Sequence, residues 1–196
     1  MKRPLLTALF GALVALPAFA ALSPGASAPS FTAQASLAGK EFTYSLKDAL
    51  KKGPVVVYFY PSAFTGGCNI QAHTFAEEMD KFKAAGASVI GVSEDKIATL
   101  NQFSADPQYC AGKLPVASDA SGTIAKSFDI KVMALPTDKK IPDTRGQTID
   151  HGFAERTTFV VTSDGKIVAT IGGMAPADNV NKSLETVQQL KGGKAG

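Results

Sequence analysis

The sequence predicts an α/β protein in which a central mixed β-sheet is flanked by helices on both faces, with a β-hairpin at its N-terminal end. Residues 55–60 are an unbroken run of β-branched and aromatic side chains, typical of a strand buried on both faces. The helix expected next repeats apolar side chains at helical spacing. Two strand-like runs then flank Ser163-Asp164-Gly165, which is a strong hairpin signal.

The elements of the N-terminal half follow from turn residues and hydrophobic periodicity. Ala38-Gly39 is expected to join two short strands, and Gly53-Pro54 to end a short helix. Pro61 stops the buried strand, and a glycine-containing loop leads into the next helix. The elements expected here are strands at 31–35 and 41–46, a helix at 45–51, the strand at 55–60 and a helix from about Cys68 to Ala84.

The C-terminal half continues the alternation of strands and helices. Residues 133–152 are rich in Pro, Asp, Lys and Gly, and are expected to form an irregular loop or insertion. The other expected elements are strands at 88–92 and 114–118, helices at 96–104 and 121–128, hairpin strands at 157–162 and 166–171, and a helix at 176–190.

Length and charge limit what the protein can be. The chain has 196 residues, of which 45% are hydrophobic and 19% charged, as in a single globular domain with a core. Its formal net charge is +3, but removal of Lys2 and Arg3 would leave 18 basic residues against 17 acidic ones. Such a balance gives no electrostatic case for nucleic acid or an anionic membrane as a partner.

Residues 1–20 have the pattern of a secretory signal peptide. Lys2 and Arg3 precede an apolar run from Leu5 to about Leu16, and Ala18-Phe19-Ala20 fits a cleavage site. The run is short for a membrane span, although a retained anchor is the alternative. We therefore expect residues 21–196 to form the mature domain, exported to the bacterial periplasm.

The chain contains two cysteines, Cys68 and Cys110. In an oxidising compartment a single pair can be a structural disulfide. The surroundings of Cys68 favour a reactive thiol instead. It follows the buried strand and the loop at 61–67, and it lies at the start of a helix, where unpaired N–H groups and the helix dipole stabilise a thiolate.

The loop before Cys68 contains further residues suited to this chemistry. Gly66 and Gly67 allow the backbone to approach a ligand closely. Pro61 removes a hydrogen-bond donor and can shield the pocket. The Thr65 hydroxyl can hydrogen-bond a thiolate or an oxygen of a bound ligand, or it can cap the helix.

The spacing Pro61-x-x-x-Thr65-x-x-Cys68 after an apolar strand resembles the active-site motif of the peroxiredoxins. The segment from Arg156 to Ile167 resembles that family's arginine strand and hairpin, and Gly25 to Phe31 resembles its N-terminal Gly-x-x-Ala-Pro-x-Phe pattern. The similarity extends over about residues 24–190. It implies a thioredoxin-like fold and a thiol-dependent peroxidase without cofactor or metal.

The resemblance also implies roles for individual residues. Cys68 would be the peroxidatic cysteine that attacks the peroxide and becomes a sulfenic acid. Arg156 and the loop N–H groups would stabilise charge on the oxygens, and Thr65 would orient the reactants. A second thiol would form a disulfide with Cys68, and a thioredoxin-like or other dithiol would reduce it. A surface ion pair with Glu155 is the alternative for Arg156.

The second thiol can only be Cys110 within this chain. The sequence is closest to the PrxQ, or bacterioferritin-comigratory, branch, in which many members have their resolving cysteine five residues after the first. Here that position is His73, so we expect Cys110, just after the helix at 96–104, to resolve Cys68. An inert Cys110 is the alternative, because a disulfide also requires suitable geometry. The branch implies a monomer or dimer.

Two other functions compete with a peroxidase of hydrogen peroxide and organic hydroperoxides. A thioredoxin-like disulfide oxidoreductase would have Cys-x-x-Cys at the helix start, where this chain has Cys68-Asn69-Ile70-Gln71. A non-catalytic copper-binding domain would need a second cysteine at position 72, which is Ala72. The chain therefore lacks the second cysteine that each of these two functions requires.

Overall fold

The protein is described by a computed structural model that covers residues 21–136 and 138–193. The predicted signal peptide, residues 1–20, lies outside this range. The strands are Thr32–Leu37 (β1), Lys40–Ser45 (β2), Val55–Phe59 (β3), Ser88–Ser93 (β4), Val116–Ser118 (β5), Val132–Met133 (β6), Ile141–Pro142 (β7), Thr148–Ile149 (β8), Phe153–Ala154 (β9), Thr157–Val161 (β10) and Ile167–Gly172 (β11). The helices are Leu46–Leu50 (α1), Gly66–Ala84 (α2), Ile97–Ala105 (α3), Thr123–Ser127 (α4) and Pro176–Lys191 (α5).

Seven strands form one mixed sheet, in the order β11-β10-β3-β4-β5-β1-β2. The three central strands β3, β4 and β5 are parallel, while β10 and β1 pair antiparallel with β3 and β5. Because parallel neighbours place their C-terminal ends at one edge, the loops after β3 and β4 emerge side by side. This arrangement confirms the predicted mixed sheet.

Helices cover both faces of the sheet, as predicted. The side chains of β3 alternate between two clusters of buried residues, with Val56 and Tyr58 in one and Val55, Val57 and Phe59 in the other. The first cluster packs against α2, α3 and α5, and the second against α1 and α4. The interpretation of residues 55–60 as a strand buried on both faces is therefore confirmed.

The N-terminal hairpin is also confirmed. Leu37 pairs with Lys40, so Ala38 and Gly39 form a two-residue loop. Both have positive φ angles, 51° and 77°, as a type I′ turn requires. This turn matches the twist of the two strands that it joins.

Two sequence predictions need correction. Helix α2 begins at Gly66, two residues before the predicted start at about Cys68, so both glycines belong to its first turn. Residues 133–152 are not wholly irregular, since β6 pairs with β9 and β7 with β8 in two small sheets. Strands of two residues are too short to produce a detectable alternation of side chains.

Among the described helices, none has the length and apolarity to cross a membrane.

Candidate active site

The loop at residues 61–65, called the active-site loop below, connects β3 to α2. The Tyr60 N–H still donates to the Val92 carbonyl oxygen at 3.2 Å. Pro61 has no N–H group, so backbone pairing stops there and the chain turns toward α2. Pro61 therefore ends the strand as predicted, and the loop lies at the C-terminal edge of the parallel strands.

Cys68 lies in the first turn of α2 and is only 2% exposed. Thr65 is the N-cap residue, and the first intrahelical hydrogen bond runs from the Asn69 N–H to the Thr65 carbonyl oxygen at 2.8 Å. The N–H groups of Gly66, Gly67 and Cys68 consequently have no carbonyl partner within the helix. These donors and the positive end of the helix dipole can stabilise an anion at this point.

Arg156 brings a positive charge to the thiol. It immediately precedes β10, and its Nη2 lies 3.3 Å from Cys68 Sγ. A Cβ atom on Gly67 would lie only 3.1 Å from that nitrogen, so the absence of a side chain at Gly67 leaves room for the guanidinium. Arg156 thus contacts the predicted nucleophile, and its side chain pairs with Cys68 and Gln71 rather than with Glu155.

Buried amides and a hydroxyl hold Arg156 in place. Its Nη1 donates to Gln71 Oε1, and Gln71 Nε2 donates to Asn179 Oδ1 at 3.1 Å. The same oxygen accepts from the Thr158 hydroxyl at 2.5 Å, while Asn179 Nδ2 donates to the Ile171 carbonyl oxygen at 3.0 Å. Since Gln71, Thr158 and Asn179 are all fully buried, these bonds fix the rotamer of each side chain.

The sequence analysis did not predict that Thr158 and Asn179 take part in the site. The signal in the sequence that could have identified such a residue is a polar side chain on an otherwise apolar face of a helix or strand. Asn179 shares the buried face of α5 with Val180, Leu184 and Val187. A polar side chain on such a face requires a buried partner, and here that partner is the amide behind Arg156.

The Thr65 hydroxyl has a different partner from the predicted ones. It donates to the Ser62 carbonyl oxygen at 2.8 Å and makes no capping bond to α2. A hydroxyl has a single proton, so in this arrangement Thr65 cannot also donate to Cys68. Its lone pairs can still accept a hydrogen bond from a peroxide hydroxyl.

Cys110 lies in the turn after α3 and is fully buried in the same hydrophobic cluster as Cys68. Both thiols are free. Burial raises the pKa of the Cys110 thiol strongly, and the nearby charge of Asp106 raises it further. Cys110 is therefore held as a neutral thiol while the surrounding structure remains closed.

A buried carboxylate holds the first residues of the active-site loop. Asp95, which follows β4, accepts from the Ala63 N–H at 2.7 Å and from the Ser62 hydroxyl at 3.2 Å. The Ser93 hydroxyl donates to the same carboxylate at 2.7 Å. Asp95 is only 3% exposed, and these donors replace the hydrogen bonds that water would otherwise make to its carboxylate.

His151 brings residues 133–152 to this carboxylate. Its Nε2 lies 3.0 Å from Asp95 Oδ1, and its Nδ1 lies 2.8 Å from the Gly152 carbonyl oxygen. Burial alone would lower the pKa of His151, but the hydrogen bond and charge of Asp95 outweigh it and raise the pKa above 6.5. The sequence showed His151 only as a loop residue; nothing near it in the chain indicated Asp95.

The other histidine is on the surface. His73 lies 3.3 Å from Glu77 on an exposed face of α2. Across residues 21–136 and 138–193, no three His, Cys, Asp or Glu side chains are grouped so that they could hold a metal ion. The chemistry available at the site is that of a buried thiol beside a guanidinium and free helix N–H groups.

Comparison with known proteins finds the same family that the motif suggests. Residues 24–170 match the AhpC/TSA family. The chain is similar to the chloroplastic peroxiredoxin Q of Oryza sativa subsp. japonica, with 38% identity over 172 residues, covering 86% of this chain and 68% of that one.

Solved structures show the same similarity in three dimensions. Peroxidoxin BcpB from Mycobacterium tuberculosis superposes with a TM-score of 0.71 and 26% identity, covering 86% of this chain and 98% of that chain. The bacterioferritin comigratory protein of Xanthomonas campestris superposes with a TM-score of 0.63 and 25% identity, covering 81% and 91%.

Proposed function

The chain belongs to the AhpC/TSA family, the peroxiredoxins, and from that premise we propose that Cys68 is its peroxidatic cysteine and Cys110 its resolving cysteine. The protein has the thioredoxin-like fold of this family and is a thiol-dependent peroxidase. The observation that carries the residue assignment is the 3.3 Å contact between Arg156 Nη2 and Cys68 Sγ at the start of α2.

In the first step the Cys68 thiolate attacks the terminal oxygen of a hydroperoxide. An S–O bond forms and the O–O bond breaks, giving Cys68 sulfenic acid and an alkoxide or hydroxide that takes up a proton. Arg156 stabilises the thiolate and the charge that develops on the oxygens. The N–H groups of Gly67 and Cys68 add to this stabilisation, and Thr65 accepts a hydrogen bond from the peroxide.

In the second step Cys110 attacks the sulfur of the sulfenic acid. The S–O bond breaks, a Cys68–Cys110 disulfide forms, and water leaves. Because Cys110 is fully buried, this step requires local opening that exposes the thiol and lowers its raised pKa. An external dithiol then reduces the disulfide and becomes a disulfide itself.

We propose that organic hydroperoxides are substrates together with hydrogen peroxide. The bacterioferritin comigratory protein of Xanthomonas campestris is described as having alkyl peroxide reduction activity.

Replacement of the second thiol separates the two steps. In Cys110→Ser, one equivalent of hydrogen peroxide should oxidise Cys68 at the wild-type rate, and the sulfenic acid should then accumulate. Intact mass spectrometry should show the gain of one oxygen, which dimedone converts into a stable adduct. If wild type instead retains the added oxygen for as long as Cys110→Ser does, the resolving role is wrong.

We also propose that residues 1–20 are a signal peptide and that the mature protein is periplasmic. The support is the sequence pattern alone: a basic start, a short apolar run and Ala18-Phe19-Ala20. When the full chain is expressed in a Gram-negative bacterium, osmotic shock should release a protein that begins at Ala21. An intact N-terminus in the cytoplasmic fraction would contradict this proposal.

A further inference from the structure

Residues 143–151, called the strap below, lie against the active-site loop at two places. The first is Phe64, which is 2% exposed and has a φ angle of 55°. The second is the Asp95 carboxylate, which holds Ser62 and Ala63. The proposed function uses neither the strap nor Phe64, so this contact needs its own explanation.

The strap contacts both the side chain and the backbone of Phe64. The Arg145 guanidinium carbon lies 3.4 Å from the centroid of the Phe64 ring, in a cation–π contact. The Thr144 N–H donates to the Phe64 carbonyl oxygen at 2.8 Å. A bulky aromatic residue at positive φ is a backbone outlier that persists only when its surroundings hold it. Here the strap supplies two of the contacts that hold it.

Arg145 also connects the strap to the helix that precedes Cys110. Its Nη1 donates to Gln102 Oε1 on α3 at 2.6 Å. Its Nε and Nη2 donate to Asp143 Oδ2 at 2.9 and 2.6 Å, which orients the guanidinium. The Arg145 side chain is 25% exposed and that of Asp143 only 4%, so this arrangement is partly shielded from water.

Beneath the guanidinium, three aromatic rings join the two cysteine segments. Phe64, Phe103 and Tyr109 contact one another, with ring centroids 5.0 to 5.7 Å apart. Phe64 belongs to the active-site loop, and Tyr109 directly precedes Cys110. Exposure of Cys110 to the sulfenic acid therefore requires these rings to separate.

A second set of contacts, made by His151, holds the C-terminal end of the strap against the active-site loop. His151 Nε2 contacts Asp95 at 3.0 Å and approaches the Ser62 hydroxyl at 3.4 Å. The charged groups that face this end are Glu94, Asp95 and Asp150, and Lys96 pairs with Asp150. The active-site loop is thus held at Ser62 and at Phe64 by the same strap.

We propose that Arg145 is a positioning residue whose release from Phe64 governs how fast Cys68 sulfenic acid forms its disulfide with Cys110. This proposal rests on the proposed function, in which Cys110 resolves Cys68. While the strap is closed, Cys68 stays beside Arg156 and Cys110 stays buried. The sulfenic acid then remains available to a second hydroperoxide, which transfers one oxygen to give sulfinic acid and leaves as water or alcohol. The strap therefore sets the competition between disulfide formation and over-oxidation.

The test compares Arg145→Ala with wild type after one equivalent of hydrogen peroxide, using rapid acid quench and intact mass spectrometry. Arg145→Ala should form sulfenic acid at the wild-type rate. It should lose water to form the disulfide about five-fold faster, the change expected when a cation–π contact of this kind is removed. The peroxide concentration that converts half of Cys68 to sulfinic acid should rise by the same factor.

Two further variants make the comparison specific. Arg145→Lys keeps the charge but loses the planar guanidinium, so its rate of disulfide formation should lie between those of wild type and Arg145→Ala. Lys140→Ala removes an exposed cation from the adjoining segment and should behave as wild type. Thermal unfolding of all four proteins is the control for stability: an unchanged melting temperature in Arg145→Ala would assign its faster disulfide formation to the strap, whereas a general loss of stability would lower the melting temperature.

The outcomes separate the two proposals. If wild type forms the Cys68–Cys110 disulfide and Arg145→Ala forms it no faster, the strap proposal is overturned while the peroxidase mechanism stands. If wild type forms no such disulfide, the resolving role of Cys110 fails and the strap proposal fails with it.

Discussion

Cys68→Ser should reduce hydrogen peroxide no faster than buffer containing the dithiol alone. A serine hydroxyl is not ionised at neutral pH and cannot form the sulfenic acid on which the reaction depends. The neighbouring groups would remain, since among the residues that the structure describes the sulfur has one polar contact, with Arg156. The measurement is peroxide consumption at saturating dithiothreitol, with far-UV circular dichroism to verify the fold.

Cys110→Ser is the matched control for this variant. It also removes one buried sulfur from the same cluster, so any general effect of the substitution on the core appears in both proteins. Cys110→Ser should still consume one equivalent of peroxide in a rapid first turnover, whereas Cys68→Ser should consume none. Continued peroxidase activity in Cys68→Ser would contradict the assignment of the nucleophile.

Arg156→Ala should oxidise Cys68 roughly a hundred- to a thousand-fold more slowly, as when a donor to a developing negative charge is removed. The loss should appear in the second-order rate constant for the first step, measured by competition with a reference peroxidase. In this variant the thiolate loses a cation 3.3 Å from its sulfur, and Gln71 loses its partner. Helix N–H groups remain and account for the residual rate.

Two neighbouring substitutions show whether this effect belongs to the guanidinium. Arg156→Lys keeps the charge, but a single ammonium lacks the planar fork that bonds Cys68 and Gln71 together, so it should recover only part of the rate. Glu155→Ala changes the exposed charge next in the chain and should have no effect. An Arg156→Ala variant as fast as wild type would remove Arg156 from the mechanism.

The fold was predictable from sequence because its main signals are local. The apolar run at β3, the periodicity of α2 and the Ala38-Gly39 turn each lie within one segment. The small sheets formed by residues 132–154 were not predictable. Their strands contain two residues each, and their pairing depends on contacts with other parts of the chain.

The site was predictable only in part, for a similar reason. Pro61, Thr65 and Cys68 belong to one contiguous motif, and Arg156 followed from the resemblance of its strand. The partners that fix Arg156 come from distant segments, as Gln71 and Asn179 are 108 residues apart. A single sequence shows that Asn179 is polar on an apolar helix face, but it does not show what it bonds.

The contacts of the strap were also not predictable from a single sequence. Arg145 lies in a segment rich in charged and turn residues, where an arginine is usually solvated. Its contacts with Phe64 and Gln102 depend on how residues 141–149 fold over the active-site loop. The contacts of Arg145 are therefore evident only in three dimensions.

The most direct test of the central claim is the intact mass of the reduced mature protein during reaction with one equivalent of hydrogen peroxide. We predict a rapid gain of one oxygen, then a net loss of two hydrogens, with a peptide that links Cys68 to Cys110. An oxygen retained on Cys68 would preserve the peroxidase but exclude Cys110 as its resolving thiol. No rapid change in mass would contradict the account of Cys68 as a peroxidatic cysteine.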